Sequence, residues 1–303
     1  MRASDWVKLV TLGALWGGSF AFIRVAAPAF GPPTLVDARV LLAGLALTAW
    51  GRYGRSGLKR FKRHARIFAL LGLFNAALPF TAIAWAELAA SSAWAAIIIA
   101  TTPLFAALVS RIWLREPLGW GRAGGLALGV AGVVILVDGM SLALPHDWVQ
   151  PLGLLLLGAL CYAASGVYTA RRAQAVPPLD LAWGQQWAAG LWLLPVAVAL
   201  RPAALPDWPA LGALGVLAVV CTAFAYILYF QLIQSVGATR ALSVNFLVPL
   251  FGVLWGVLLL GEKLSPRTVI GLALVMASLL LVLRPGAATR TVASDPSASS
   301  PAP

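Results

Sequence analysis

Few residues of this sequence carry charge, and fewer still carry negative charge. Asp and Glu together number 10 among 303 residues, and all charged side chains make up 11%. About a quarter of the residues in a soluble domain are charged. This scarcity, with 61% hydrophobic residues and a mean hydropathy of +0.88, excludes an ordinary water-soluble domain. Histidine and cysteine are scarce too, with two of each. His64 and His146 fall in loops and share no metal-ligand spacing with a cysteine or carboxylate. Cys161 and Cys221 lie inside apolar runs, which argues against a secretory disulfide framework. No GxxxxGK[ST] sequence cradles the phosphates of ATP, and no cofactor set is legible. The first apolar run lacks the polar break and small-residue cleavage site of a removable leader. An enzyme working inside a membrane needs paired acids, a Ser/His or Cys/His set, or metal ligands at membrane depth. Neither histidine lies in an apolar run, and the carboxylates there are few and far out, so that reading is the weaker one.

What is present is a series of long apolar runs. A bilayer span takes roughly 20 largely apolar residues. Windows of that kind cover 6–27, 34–50, 66–88, 91–114, 119–138, 151–170, 181–200, 208–232, 239–260 and 267–284. The sequence thus predicts an all-α polytopic membrane protein with ten transmembrane helices. A net charge of +12 would suggest nucleic acid in a soluble protein, but its placement points to the membrane and to no nucleic acid. With the N-terminus inside, seventeen Lys and Arg fall on the inner side, leaving Arg24, Arg39, Arg201, Lys263 and Arg267 outside. That asymmetry puts both termini in the cytoplasm. The basic run Arg55–Arg66 reads as a topology anchor within reach of anionic lipid headgroups.

The chain also repeats itself. A shift of 146 residues carries Pro103-Leu104-Phe105 onto Pro249-Leu250-Phe251, Glu116 onto Glu262, and Gly125-Leu126-Ala127-Leu128 onto Gly271-Leu272-Ala273-Leu274. Two units follow, residues 1–140 and 141–286, with an Ala/Ser/Thr/Pro-rich tail over 287–303 that reads as disordered. Five spans per unit is an odd number, so the second copy enters the membrane in the opposite sense and the repeats are inverted. Each unit has a proline in the middle of an apolar window, Pro103 and Pro249. Proline removes a donor and frees the carbonyl four residues back, on Ile99 and Asn245. In lipid such a break survives only against protein or a watery cavity, and matched breaks in two repeats point to a transporter's binding site.

Around those prolines lie the candidate substrate-binding groups. Asn245 is one turn before Pro249, Thr101 and Thr102 immediately precede Pro103, and Asn75 sits mid-window. Each of these polar groups reads equally as a helix–helix hydrogen bond. Trp16, Tyr162 and Tyr226 fall at mid-depth, away from the interfacial belts; Ser19 and Ser165 are in the same windows. Gly13, Gly17 and Gly18 give the first window a small-residue face for close packing. Glu87 lies at the outer end of its window, at a depth similar to that of Arg24, Asp37 and Arg39. Two readings stand for this group: a structural ion-pair cluster, or an outer vestibule that handles protons or substrate. Glu116 and Glu262 read as helix-capping or loop-holding groups.

Several motifs together resemble the ten-helix, EamA-like type of the drug/metabolite transporter superfamily. They are Ala14-Leu15-Trp16-Gly17-Gly18-Ser19-Phe20, Ala38-Arg39-Val40-Leu41-Leu42-Ala43-Gly44, Thr102-Pro103-Leu104 with Arg115-Glu116-Pro117-Leu118, and Val248-Pro249-Leu250 with Gly261-Glu262-Lys263-Leu264. The similarity runs over residues 6–284. Cys161-Tyr162 stands where such proteins often carry Trp. The resemblance implies an inner-membrane exporter of small metabolites, without enzymatic activity, whose cavity is lined chiefly by helices 1, 3, 4, 6, 8 and 9. A passive channel is the alternative in the same class.

The inverted arrangement makes a direct prediction. Reporters fused at Leu58 and after the last residue should read as cytoplasmic, and one at Leu144 as periplasmic. A cytoplasmic signal at Leu144 would place the second unit wrongly and end the inversion argument.

Overall fold

The computed structural model describes residues 1–51, 57–90, 92–113, 115, 119–138, 147–202, 206–260 and 266–283. Among them there is no strand. The helices, in chain order, are α1 (Ala3–Phe30), α2 (Pro32–Gly51), α3 (Gly57–Arg63), α4 (Ala65–Ala89), α5 (Ser92–Ile99) and α6 (Thr102–Trp113). Then come α7 (Trp120–Asp138), α8 (Val149–Arg172), α9 (Pro178–Ala199), α10 (Trp208–Val236), α11 (Ala238–Leu242), α12 (Val244–Leu260) and α13 (Pro266–Leu283). Five of them, α1, α2, α4, α8 and α10, are long and apolar enough to cross a membrane. Glu116, Glu262, His146 and the tail 287–303 lie outside the described residues.

Prolines and glycines punctuate the path. Gly31 (φ 72°) and Gly237 (φ 82°) take left-handed conformations at the α1–α2 and α10–α11 turns, which side chains with a Cβ adopt at a cost. The window 91–114 divides into α5 and α6 at Ala100–Thr101, and Pro103 sits in the first turn of α6, where a missing N–H is tolerated. The second break does not fall at the matching place. It lies at Ser243, between α11 and α12, and Pro249 is inside α12. There the Ser243 hydroxyl bonds back to the Arg240 carbonyl at 2.7 Å, a local bond that competes with helix.

A different irregularity does match between the halves. α4 carries a π-helical turn at Leu73–Ala77, and α10 carries one at Val219–Phe224. The shift that aligns the prolines carries Leu73 onto Val219.

Packing repeats in the same way. α1 lies against α10 and α12, while α8, its counterpart in the second half, lies against α4, α5 and α6. α2 packs on α9, and α7 on α13. All of these are contacts between halves, so the core is formed where the halves meet. Small residues permit the close approach: a Cβ at Gly17 would lie 2.8 Å from the Val248 carbonyl oxygen, and one at Gly132 would lie 2.8 Å from the Val275 nitrogen. On the α3 side, Arg60 pairs with Asp180 of α9 at 3.1 Å.

Candidate functional site

A cavity of about 50 Å³ lies between the halves. α1 contributes Trp16, Ser19, Phe20 and Ile23 to its wall, and α4 contributes Asn75, Phe80 and Ile83. Ile99 comes from α5, Tyr162 from α8, Tyr229 from α10, Leu242 from α11, and Asn245 and Val248 from α12. Arg39 of α2 completes it. These are the helices that the sequence resemblance implied, joined by α2.

The two π-turns organise the polar groups. Proline at 79 cannot return an N–H to the Asn75 carbonyl, which instead accepts from the Tyr226 hydroxyl of the other half at 2.8 Å. In the second turn the Ala225 N–H is shared between the Thr222 and Val220 carbonyls and does not serve that of Cys221. The Cys221 carbonyl accepts from Trp16 Nε1, again across the halves, at 3.2 Å. A backbone group left without a partner in hydrocarbon costs several kcal/mol, so both contacts hold the halves together.

Side chains at the π-turns are tied across the interface as well. Asn75 Nδ2 donates to Gln185 Oε1 of α9 at 2.7 Å, and Asn75 Oδ1 accepts from the Ser165 hydroxyl of α8 at 2.9 Å. In the other turn, Thr222 Oγ1 accepts from Arg39 Nε of α2 at 2.7 Å. The Thr222 hydroxyl proton goes to the Leu217 carbonyl at 2.7 Å, which leaves its lone pairs facing Arg39. The shift of 146 residues also carries Arg39 onto Gln185. The two π-turns are thus gripped from equivalent positions, one by a cation and one by a neutral amide.

Aromatic rings fill the space between. Trp16 lies 5.8 Å from Tyr226 and 5.6 Å from Tyr229, and Phe80 lies 6.4 Å from Tyr162 and 6.1 Å from Tyr226. The Arg39 guanidinium carbon is 4.0 Å from the Phe80 ring centroid, a cation–π contact. Offset and tilted ring pairs of this kind add roughly 0.5–1.5 kcal/mol each beyond burial.

Of the residues singled out in the sequence, Trp16, Ser19, Asn75, Tyr162 and Asn245 line the cavity. Ser165 and Tyr226 stand one layer behind, bonded to Asn75. Thr101, Thr102, Pro103 and Pro249 do not line it. The Thr101 and Thr102 hydroxyls bond to the Ile98 and Ile99 carbonyls, both at 2.6 Å, so the carbonyl that Pro103 frees is satisfied within its own segment. Asn245 Nδ2 bonds to the Leu242 carbonyl at 3.1 Å.

In the outer group Arg24, Asp37, Arg39 and Glu87 form no salt bridge with one another, although Glu87 lies within electrostatic reach of Arg24 and Arg39. Arg24 is exposed, whereas Arg39 belongs to the cavity. Buried Glu87 accepts from the Ser92 hydroxyl at 2.8 Å through Oε2, and its Oε1 has no partner. Sequence reasoning missed Phe80, Tyr229 and Gln185. The 146-residue shift applied to Arg39 would have found the last of these. Cys161 and Cys221 are free and buried, and no group of His, Cys, Asp and Glu among the described residues could hold a metal ion.

A model of the EamA-like transporter family matches residues 6–138 and again residues 151–284. The uncharacterized inner membrane transporter YedA of Escherichia coli (strain K12) is 29% identical over 281 residues, covering 90% of this chain and 89% of its own. A probable terminal-alkyne amino-acid exporter of Streptantibioticus cattleyicolor is 24% identical, with 96% and 97% covered. An S-adenosylmethionine/S-adenosylhomocysteine transporter of Chlamydia trachomatis serovar D is 28% identical, with 86% and 83% covered. A solved crystal structure shares the fold with a TM-score of 0.75 at 19% identity, covering 93% of this chain and 98% of that one.

The cross-half bonds separate two neighbouring tyrosines. Tyr226→Phe leaves the Asn75 carbonyl without its donor and should destabilise the protein by about 1–3 kcal/mol. Tyr229→Phe removes a hydroxyl that has no partner and should leave stability unchanged or raised. Thermal unfolding of the purified protein in detergent checks both; equal losses would contradict the assignment.

Proposed function

Because this chain belongs to the EamA-like transporter family, we propose that it is a secondary-active carrier that exports small metabolites, amino-acid-like or amphipathic, across a bacterial inner membrane by alternating access. The reading takes the chain as ten transmembrane helices in two inverted repeats, 1–140 and 141–286, with both termini cytoplasmic. The seventeen-to-five charge distribution and the exchange of packing partners between halves support it.

The observation that carries the proposal is the cavity itself. It lies where the two halves meet, and both halves contribute to its wall. Each half has one π-turn with a carbonyl that accepts a hydrogen bond from a side chain of the other. Rocking one half against the other would exchange or stretch such bonds without exposing a carbonyl to lipid. Trp16, Tyr162 and Tyr229 present rings to an apolar substrate moiety, while Asn75, Ser19 and Asn245 present polar groups. Relatives named as a probable terminal-alkyne amino-acid exporter and as an S-adenosylmethionine/S-adenosylhomocysteine transporter support small metabolites as the cargo. A passive channel would lack saturation, so saturable, gradient-dependent flux into vesicles separates the two readings.

A cysteine placed at Asn245 should react with small water-soluble thiol reagents in at least one transport state. No labelling there in any state would mean that the cavity is not a water-accessible transport site. Glu87 is proposed as the proton-coupling group: Glu87→Gln should abolish proton-linked transport while folded protein still reaches the membrane. Normal transport across a pH range would make Glu87 structural only.

A further inference from the structure

Arg39 is a cation buried to 4% exposure in a wall that is otherwise apolar or neutral. Burying an unpaired charge is costly, and a protein ordinarily offsets it with a carboxylate. Here no carboxylate is close enough to form a salt bridge, and none lines the cavity. Glu87 is held by Ser92 instead.

The guanidinium is nevertheless held firmly. Nε donates to Thr222, whose hydroxyl is oriented by Leu217, and the flat face rests on Phe80. These contacts fix the plane of the group and leave the fork of terminal N–H donors without a protein acceptor. Those nitrogens are not among the sealed, unpartnered polar atoms either, so they open onto the cavity that Arg39 lines. A fixed guanidinium fork opening onto a cavity is the geometry that binds a carboxylate through two parallel hydrogen bonds.

We infer that the transported molecule carries a carboxylate that pairs with Arg39, with its apolar body lying against Trp16, Phe80, Tyr162 and Tyr229. This rests on the transport reading above and narrows its substrates to organic anions and zwitterions, excluding simple amines. The substrate's carboxylate supplies a counter-charge in direct contact, which the protein does not, since Glu87 acts on Arg39 only at a distance. The empty and loaded cavities therefore differ by a compensated charge. The equivalent position in the other half holds Gln185, already bonded to Asn75, so the anion has one binding end and a defined orientation.

The test uses the full chain with Cys161→Ala, Cys221→Ala and Asn245→Cys, reconstituted in lipid vesicles. The probes are two thiol reagents, sulfonatoethyl and trimethylammonioethyl methanethiosulfonate, one anionic and one cationic. Each rate is normalised to that reagent's reaction with a small free thiol. The anionic reagent should react about tenfold faster than the cationic one, the effect of a nearby fixed positive charge in a partly screened site. Arg39→Met should abolish the preference, and Arg39→Lys should retain it. Benzoate should slow labelling, whereas benzamide, its uncharged twin, should not. Should Arg39→Met fail to fold, the reagent preference and the benzoate–benzamide contrast with Arg39 in place decide the matter. Equal rates, a cationic preference, no protection by benzoate, or equal protection by benzamide would overturn the inference and leave the transport cavity standing. Reaction with neither reagent would overturn both.

Discussion

Two backbone carbonyls, on Asn75 and Cys221, lack the usual helical donor four residues on, and the rest of the structure depends on where their hydrogen bonds go. Water is not at hand to satisfy them in a bilayer, so a donor must come from protein. In both cases it comes from an aromatic side chain of the opposite half, Tyr226 or Trp16. The halves are therefore joined by the lesion that each carries. The aromatic donors cannot reach those carbonyls without bringing their rings to the middle of the molecule, and the cavity is the space that the rings leave between them.

Polar side chains follow the same logic. A π-turn widens the helix by one residue and turns Asn75 or Thr222 toward the interface, where Gln185 and Arg39 meet them. Buried networks of this kind specify one arrangement when fully satisfied and destabilise it when not. Here both networks leave a donor over: Gln185 Nε2 is sealed without a partner behind Asn75, whereas the terminal nitrogens of Arg39 open onto the cavity. The sealed one suits a scaffold and the open one suits a ligand.

Much of this architecture can be read from the residues. Apolar windows locate the helical segments, because hydropathy over some twenty residues survives local irregularity. The glycine face of the first window finds its partner in Leu247, Val248 and Phe251. The π-turns are not legible, since one extra residue in a turn leaves an apolar run apolar. Nor is the depth of Arg39. Its position near the start of α2 suggests the outer surface, but its partners, Thr222 and Phe80, are remote in sequence and draw it inward. The prolines misled in a specific way. Pro103 sits in the first turn of α6, just after the break at Ala100–Thr101, whereas Pro249 is accommodated within α12, and the break in the second half lies at Ser243 instead.

The exchange of Arg39 for Gln185 at equivalent positions has a consequence for energetics. A carrier assembled from two identical inverted halves would have inward-open and outward-open states of equal energy, mirror forms of one another. A single charge present in only one half lifts that degeneracy. On the proposed carrier reading, whichever state gives Arg39 more access to water would be favoured when the cavity is empty, and an anionic cargo that neutralises it would bring the two states closer together. A resting orientation and a cargo-dependent return would then arise from one residue, with no separate gate.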